Sequence, residues 1–217
     1  MFDVFKDKKV LVTGHTGFKG SWLCIWLNYL GAKVIGLSLP NLPTKSLFKV
    51  SEIEDNIISI TGDIRAKSFV NNVINQYEPE IVMHLAAQSL VIKGYEEPLL
   101  TFETNIIGTA NILEASKNSS TVRSVVNVTS DKCYENFEFK DGYSENDRLG
   151  GYDPYSNSKA CAELISSCYQ NIYKEHSSKR CIRLASARAG NVIGGGDWSE
   201  NRLIPDIINH IFEGEKL

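Results

Sequence analysis

The chain has 217 residues, 42% of them hydrophobic and 23% charged, the composition of an ordinary water-soluble globular protein with room for one large domain or one domain and the start of another. A formal net charge of −3 with no basic stripe argues against a nucleic-acid partner, whose run of phosphates would have to be neutralised, and leaves room only for a small anion. No apolar run approaches the ~18 residues of a membrane span.

Lys8 to Val12 reads as a strand that runs into Thr13-Gly14-His15-Thr16-Gly17-Phe18-Lys19-Gly20, after which Trp22, Leu23, Trp26, Leu27 and Leu30 recur at helical spacing. Gly31 ends that helix and Lys33 to Leu39 is a second strand. Strand, glycine turn, helix, strand is the opening unit of a nucleotide-binding βαβ fold. Glycines let the backbone come close to a pyrophosphate, and the helix N-terminus offers it free N–H groups. The spacing is G-x-x-G-x-x-G, not G-x-G-x-x-G, and the acidic residue expected about 20 positions on, for a ribose 2′-hydroxyl, is missing from Ser38-Leu39-Pro40-Asn41. Ser38 or Asn41 can bond a hydroxyl and Lys45 can attract a phosphate, so NAD and NADP both stay open.

Pro40 to Glu54 reads as an irregular excursion, and Asn56 to Ile60 as a third strand. In Gly62-Asp63-Ile64-Arg65, Asp63 either meets an adenine amino group or caps the helix that follows, Ala66 to Tyr77. Glu80 to Leu85 is the fourth strand. Within it His84 is expected to be a hydrogen-bonded core residue. The small Ala86 and Ala87 at the strand's end leave space for a flat ring system, and Gln88 and Ser89 follow where open α/β sheets deliver ligand-binding residues. Glu96 to Lys117 has the length of one long helix, with Glu96-Glu97 as its solvated first turn.

Arg123 to Val128 is the fifth strand and delivers Thr129, Ser130, Asp131 and Lys132 to the same edge. Glu135 to Asp153 is a charged loop over the site, and Pro154 starts a helix running to about Glu175. Tyr155 and Lys159 share one face of it. A neighbouring ammonium favours phenolate and would bring Tyr155 down toward working pH. Arg180 to Ala189 is the sixth strand, Gly190 to Trp198 a ligand-type loop, and Arg202 to Phe212 a last helix. The fold class expected is α/β with a doubly wound parallel sheet. The five cysteines, Cys24, Cys133, Cys161, Cys168 and Cys181, make no Cys-x-x-Cys pair and no metal-like cluster with histidine. With a start too short and too charged for a leader, they are expected to be reduced thiols in a cytoplasmic protein without a metal site.

Five stretches carry a resemblance: TGHTGFKG from Thr13 to Gly20, HLAAQ from His84 to Gln88, TSDKCYEN from Thr129 to Asn136, GGYDPYSNSK from Gly150 to Lys159, and RAGNVIGGGDW from Arg188 to Trp198 with RLIPD from Arg202 to Asp206. On these the chain resembles the extended short-chain dehydrogenase/reductase superfamily and, within it, the nucleotide-sugar 4,6-dehydratases of the CDP-glucose branch. The resemblance implies a Rossmann domain over residues 1–189 and, from 190 to 217, the opening of a substrate-binding portion that is otherwise largely absent. It places Gly14, His15, Thr16, Gly17, Phe18, Lys19, Gly20, Asp63, Ile64, Leu85, Ala86 and Ala87, with Tyr155 and Lys159, at an NAD cofactor. It assigns Gln88, Ser89, Thr129, Asn191, Arg202 and Leu203 to a nucleotide-sugar substrate. The implied assembly is a homo-oligomer, dimer or tetramer, pairing through the long helices after Glu96 and Tyr155.

The same resemblance assigns hydride-transfer chemistry to Ser130, Tyr155 and Lys159. Tyr155 would take the proton of the sugar's carbon-4 hydroxyl while Ser130 bonds the developing oxygen. The resulting ketone acidifies carbon 5, so that Lys132 as base and Asp131 as acid could expel water across carbons 5 and 6, roles that ask for burial of both groups. The dTDP-glucose branch carries Asp-Glu at this pair, and an epimerase carries neutral residues. The product would be CDP-4-keto-6-deoxyglucose, for deoxysugar and O-antigen synthesis. Family members are longer than this chain, so an N-terminal piece is expected that binds NAD(H) with little or no turnover of its own. The alternatives are another nucleotide-sugar dehydratase or epimerase, or a non-catalytic dinucleotide-binding scaffold.

Overall fold

Six parallel strands form one sheet in the order β3-β2-β1-β4-β5-β6 in a computed structural model that describes residues 2–40, 45–175 and 181–214. They are β1 (Lys9–Thr13), β2 (Lys33–Ser38), β3 (Ile58–Thr61), β4 (Ile81–His84), β5 (Ser124–Val128) and β6 (Arg183–Ala187). Chain order reverses between β1 and its neighbour β4, which opens a crevice at their carboxyl ends, where such sheets bind ligands. Side chains alternate across the sheet. Val10, Val12 and Val34 pack on one face with Cys24 and Leu27 of helix α1 (Phe18–Tyr29) and with Phe48 of the short α2 (Leu47–Val50). Leu11, Leu37, Val82 and Val125 pack on the other with α3 (Lys67–Tyr77) and with Ile112 and Leu113. Both faces are covered, which is why the central strands read as nearly unbroken apolar runs.

Three elements depart from expectation. In α1 the buried line is Gly20, Ser21, Cys24 and Leu27, while Trp22 and Trp26 are 48% and 50% exposed. The helix presses so closely on the glycine turn that only small side chains fit there. The expected helix over 96–117 is broken into α4 (Val91–Glu96), α5 (Pro98–Phe102), a π-helical turn (Glu103–Gly108) and α6 (Thr109–Asn118). Pro98 cannot sit inside a helix and instead starts α5, so Glu96-Glu97 lie at the break and not in a first turn. Within the 40–54 excursion, Ser46 caps α2 by accepting from the Lys49 N–H at 3.4 Å. Asn41, one candidate for the ribose hydroxyl, and Arg180, the expected start of the sixth strand, lie outside the described residues. The remaining helices are α7 (Pro154–Glu175), whose entry is held by Asp153 accepting from the Ser156 N–H at 2.9 Å, and α8 (Leu203–Glu213). All five cysteines are free thiols.

His84 is the core histidine expected, and its proton can be located. Thr13 Oγ1 accepts from the Leu85 and Ala86 N–H groups, both at 3.1 Å, so its own hydrogen goes to His84 Nδ1 at 2.7 Å. The ring must therefore be neutral, donating from Nε2 to Thr109 Oγ1 at 3.0 Å, which in turn donates to the Asn105 carbonyl at 2.7 Å. Burial, then the Lys159 charge, lowers the His84 pKa to about 3, and burial lowers that of His15 to about 4. Both folded-state values lie below the unfolded one, so the unfolded chain takes up protons first as pH falls. The stability these neutral rings allow is complete above about pH 6.5 and is lost below it, by roughly 2 kcal/mol per histidine between about pH 7 and pH 5. Urea unfolding at the two pH values should show that drop, ahead of carboxylate titration. Equal stabilities would mean that the rings take up protons while folded.

Candidate active site

A cavity of about 350 Å³ lies at the switch point, walled by the glycine turn, the ends of β4 and β5, and the first turns of α7. Its tightest part is the turn. Gly14 has φ +74°, and a Cβ there would lie 2.8 Å from the Ala86 nitrogen; a Cβ on Gly20 would lie 2.0 Å from the Gly14 carbonyl oxygen. The helix that follows is capped by Gly17 without a side-chain hydrogen bond, which leaves its first-turn N–H groups for a ligand. Gly20→Ala is expected to cost at least about 1–3 kcal/mol of stability, because backbone must move to admit the methyl group. Chemical denaturation measures it, and wild-type stability would show that the turn has slack.

Thr16, Phe18 and Lys19 line the cavity with Gly14 and Gly17; Asp63 and Ile64 lie at one end, and Leu85, Ala86 and Ala87 form the β4 wall. Ser38 Oγ accepts from the Thr16 N–H at 3.3 Å, which fixes the end of β2 to the turn. Lys19 has its pKa lowered by burial and then by the Arg202 charge. Asp63 does not cap α3, whose N-cap is Ala66. Its carboxylate is gripped by Arg65, through Nη2 at 2.5 Å and the backbone N–H at 2.9 Å, and Arg65 holds its pKa below the usual range. The His15 ring turns away from the cavity. It is buried against Gly36 and Phe48 and bonds Ser59 Oγ at 2.9 Å, so only its backbone belongs to the turn.

Across the cavity stand Ser130, Tyr155 and Lys159. Tyr155 and Lys159 are 8% and 6% exposed on one face of α7. Lys159 Nζ lies 3.5 Å from the Val128 carbonyl oxygen, and burial, then the Lys19 charge, lowers its pKa to about 8. The Tyr155 pKa moves upward, opposite to expectation: loss of water around the phenolate outweighs the hydrogen bond from Ser130 and the Arg202 charge, which act the other way. Ser130 caps the short turn Asp131–Cys133, accepting from the Lys132 N–H at 3.2 Å and donating to Asp131 Oδ1 at 3.1 Å. Asp131 and Lys132 are exposed, so the burial expected of them is not found. Lys132 opens onto the cavity, while Asp131 faces the depressions beside it.

Of the residues expected at a substrate, Ser89, Asn191 and Arg202 gather at the cavity mouth, with Arg202 Nη2 donating to Ser89 Oγ at 3.3 Å. Arg202 Nε is buried without a hydrogen-bond partner among the described residues. Leu203, 72% exposed, lies outside the cavity in an adjoining depression shared with Ser89, Asn191 and Arg202. Gln88 turns away, and Thr129 lines the cavity while its hydroxyl points elsewhere. Gln88 Nε2 donates to Thr101 Oγ1 at 2.8 Å and to the Leu90 carbonyl at 3.0 Å, and Asn105 binds the Gln88 backbone through both N–H and carbonyl. The Thr129 hydroxyl donates to the buried carboxylate of Glu163. Glu163, its partner Arg188, and Asn105 escaped sequence reasoning. Glu163 sits one helical turn past Lys159, a spacing that would have revealed it.

A family model described as GDP-mannose 4,6 dehydratase matches residues 11–216. CDP-glucose 4,6-dehydratase of Salmonella typhimurium is 50% identical over 210 residues, which is 94% of this chain and 57% of that protein. CDP-paratose 2-epimerase of Salmonella typhi is 29% identical over 184 residues, 76% of this chain and 54% of that one. The solved structure of dTDP-glucose 4,6-dehydratase from Bacillus anthracis in complex with NAD superposes with a TM-score of 0.81 at 27% identity, covering 97% of this chain and 63% of the other. The chain thus spans about half the length of the curated relatives it matches. Dehydratases and epimerases share the backbone, so fold alone does not choose between them. The match begins inside β1 and continues past α8, the last helix among the described residues, and the chain belongs to the GDP-mannose 4,6 dehydratase family.

Proposed function

We propose that this chain carries the cofactor site and the catalytic side chains of a nucleotide-sugar 4,6-dehydratase that turns CDP-glucose into CDP-4-keto-6-deoxyglucose. The observation that carries the reading is the meeting of Tyr155, Lys159, Ser130 and Lys132 in one cavity, opposite a glycine turn packed too tightly for a Cβ at Gly14 or Gly20. The glycine turn, with no side-chain cap on α1, leaves first-turn N–H groups facing the cavity for a pyrophosphate, and the wall of Ala86 and Ala87 suits a ring. These residues fit NAD, as bound in the Bacillus anthracis relative. Bound there, NAD supplies a two-electron acceptor that later returns the same electrons to the sugar. Gly14, Thr16, Gly17, Phe18, Lys19 and Gly20 would hold its pyrophosphate, Asp63 and Ile64 its adenine end, and Leu85, Ala86 and Ala87, with Tyr155 and Lys159, its nicotinamide end.

On the sugar, Tyr155 takes the carbon-4 hydroxyl proton and Ser130 bonds the oxygen left behind. The hydrogen bond with Ser130 and the Arg202 charge offset part of the cost of burying phenolate, and Lys159 on the same helical face stays largely charged at neutral pH. Lys132 removes the carbon-5 proton and Asp131 gives a proton to the departing carbon-6 hydroxyl, roles that require the bound sugar to shield two side chains that are exposed without it. Arg202 and Asn191 receive the substrate pyrophosphate, since a guanidinium suits phosphate oxygens, with Ser89 and Leu203 beside them. Residues 1–189 form the dinucleotide domain and 190–217 begin the substrate portion. The exposed Leu99, Ile107 and Leu164 give α5, the π turn and α7 apolar surface for a second copy. The reading places the protein in the cytoplasm, making deoxysugars; no helix among the described residues is long and apolar enough to cross a membrane.

The epimerase reading has a relative in its favour, but the Asp131-Lys132 pair would have no task in it. A silent scaffold has no use for a buried Lys159 beside a buried Tyr155. Because little turnover is expected of this chain, which spans 57% of the Salmonella typhimurium relative, mass spectrometry sensitive to a single turnover is the readout: given NAD with CDP-, dTDP- or GDP-glucose, water loss from the CDP sugar is expected in preference. Water loss from another nucleotide sugar in preference, or isomerisation without change of mass, would replace this reading.

A further inference from the structure

The turn carrying Asp131 and Lys132 is bracketed by two side-chain bonds that end on one ion pair, in which Glu163 is buried and Arg188 partly so. Before the turn, the Thr129 hydroxyl donates to Glu163 Oε1. After it, Arg188 Nη1 donates to the Tyr134 hydroxyl at 2.9 Å, with the guanidinium 5.0 Å from that ring's centroid. Arg188 Nη2 then donates to Glu163 Oε2 at 3.0 Å, where Glu163 is 5% exposed. Glu163 lies on α7 one turn beyond Lys159 and two beyond Tyr155, on the same helical face. Arg188 also donates to the Glu145 carbonyl at 3.1 Å, which draws in the outer loop. Backbone bonds from Thr129 N–H to the Ala187 carbonyl and from Asp131 N–H to the Ala189 carbonyl, each 3.0 Å, fix only the entry to the turn. Its exit at Tyr134 depends on Arg188 and on the strand-like pairing of Tyr134 with Leu149.

We infer that Glu163 and Arg188 are positioning residues that hold the Asp131–Lys132 turn in register with Tyr155 and Lys159, so that two sets of groups on different elements meet one sugar. The inference rests on the dehydratase reading for why the register matters, but not for its test. A pair that only balances charge would be satisfied by any cation at 188. A positioning pair needs the guanidinium fork, one arm on Glu163 and one on Tyr134. Tyr134→Phe removes the second arm's acceptor and leaves the ion pair intact, while Arg188→Lys keeps the charge and loses the fork.

Hydrogen exchange followed by NMR reads the turn directly, through the Cys133, Glu135 and Gly150 N–H groups, which bond the carbonyls of Ser130, Arg148 and Cys133 at 3.3, 2.9 and 2.9 Å. In both variants these amides are expected to exchange about tenfold faster or more, with those of β1 and β4 unchanged. After reductive methylation of the lysines with 13C-labelled formaldehyde, the dimethylammonium signal of Lys132 should shift, while that of Lys93 stays. Tyr134→Phe decides the matter even if Arg188→Lys fails to fold: wild-type protection at these amides with an unmoved Lys132 signal overturns the proposal. Neither readout uses substrate or cofactor, so a failed CDP-glucose assay would count against the dehydratase reading alone.

Discussion

Replacing Tyr155 by Phe should lower the rate of carbon-4 oxidation by about 10²–10⁴-fold, the usual contribution of a positioned proton-transfer group. The ring is buried and the substitution removes one oxygen, so packing is kept and the protein should remain folded. What is lost is the group placed to take the hydroxyl proton, while Ser130 keeps its bonds to Asp131 and the Lys132 N–H. Because burial raises the Tyr155 pKa, the wild-type oxidation rate should climb with pH as the phenolate fraction grows. Single-turnover NADH absorbance with CDP-glucose measures both effects. A Tyr155→Phe rate within a few-fold of wild type, with the same pH profile, would remove Tyr155 from the chemistry.

Lys132→Ala is expected to separate the two halves of the reaction. Oxidation depends on Tyr155, Lys159 and Ser130, which the substitution leaves in place, whereas removal of the carbon-5 proton loses its base. Water loss should fall by about 10²–10⁴-fold while the 4-ketone and NADH accumulate on the protein. Lys132 is exposed and its side chain packs no core, so stability should change little. Rapid quench with mass detection separates ketone from dehydrated product. An epimerase would barely register the change, and undiminished water loss in this variant would hand the base role to another group.

The sheet was largely legible because its central strands are buried on both faces and therefore read as apolar runs, each ended by glycine or small residues at the site. Less legible was the direction in which side chains leave those strand ends. Thr129 and Ser130 are neighbours, yet one hydroxyl goes to Glu163 and the other caps the Asp131–Cys133 turn at the cavity. The same geometry turned Gln88 into a brace for Thr101 and buried the His15 ring behind the turn that its backbone helps to form. Trp22 and Trp26 recur at helical spacing yet lie outside, because a close helix contact selects for the small Gly20 and Ser21. The spacing of Tyr155 and Lys159 foretold their meeting but not the burial that reverses the tyrosine's shift. Glu163 and Arg188 are far apart in sequence, and only the adjacency of α7 and β6 joins them.

The central claim is spatial, and a crystal structure of the protein with NADH and CDP-glucose tests it most directly. The account predicts the pyrophosphate of NADH against Gly14–Gly20, the nicotinamide beside Tyr155 and Lys159, and carbons 5 and 6 of the hexose within reach of Lys132 and Asp131. A nicotinamide ring outside this cavity, or a hexose bound with its carbon 6 directed away from residues 131 and 132, would contradict it.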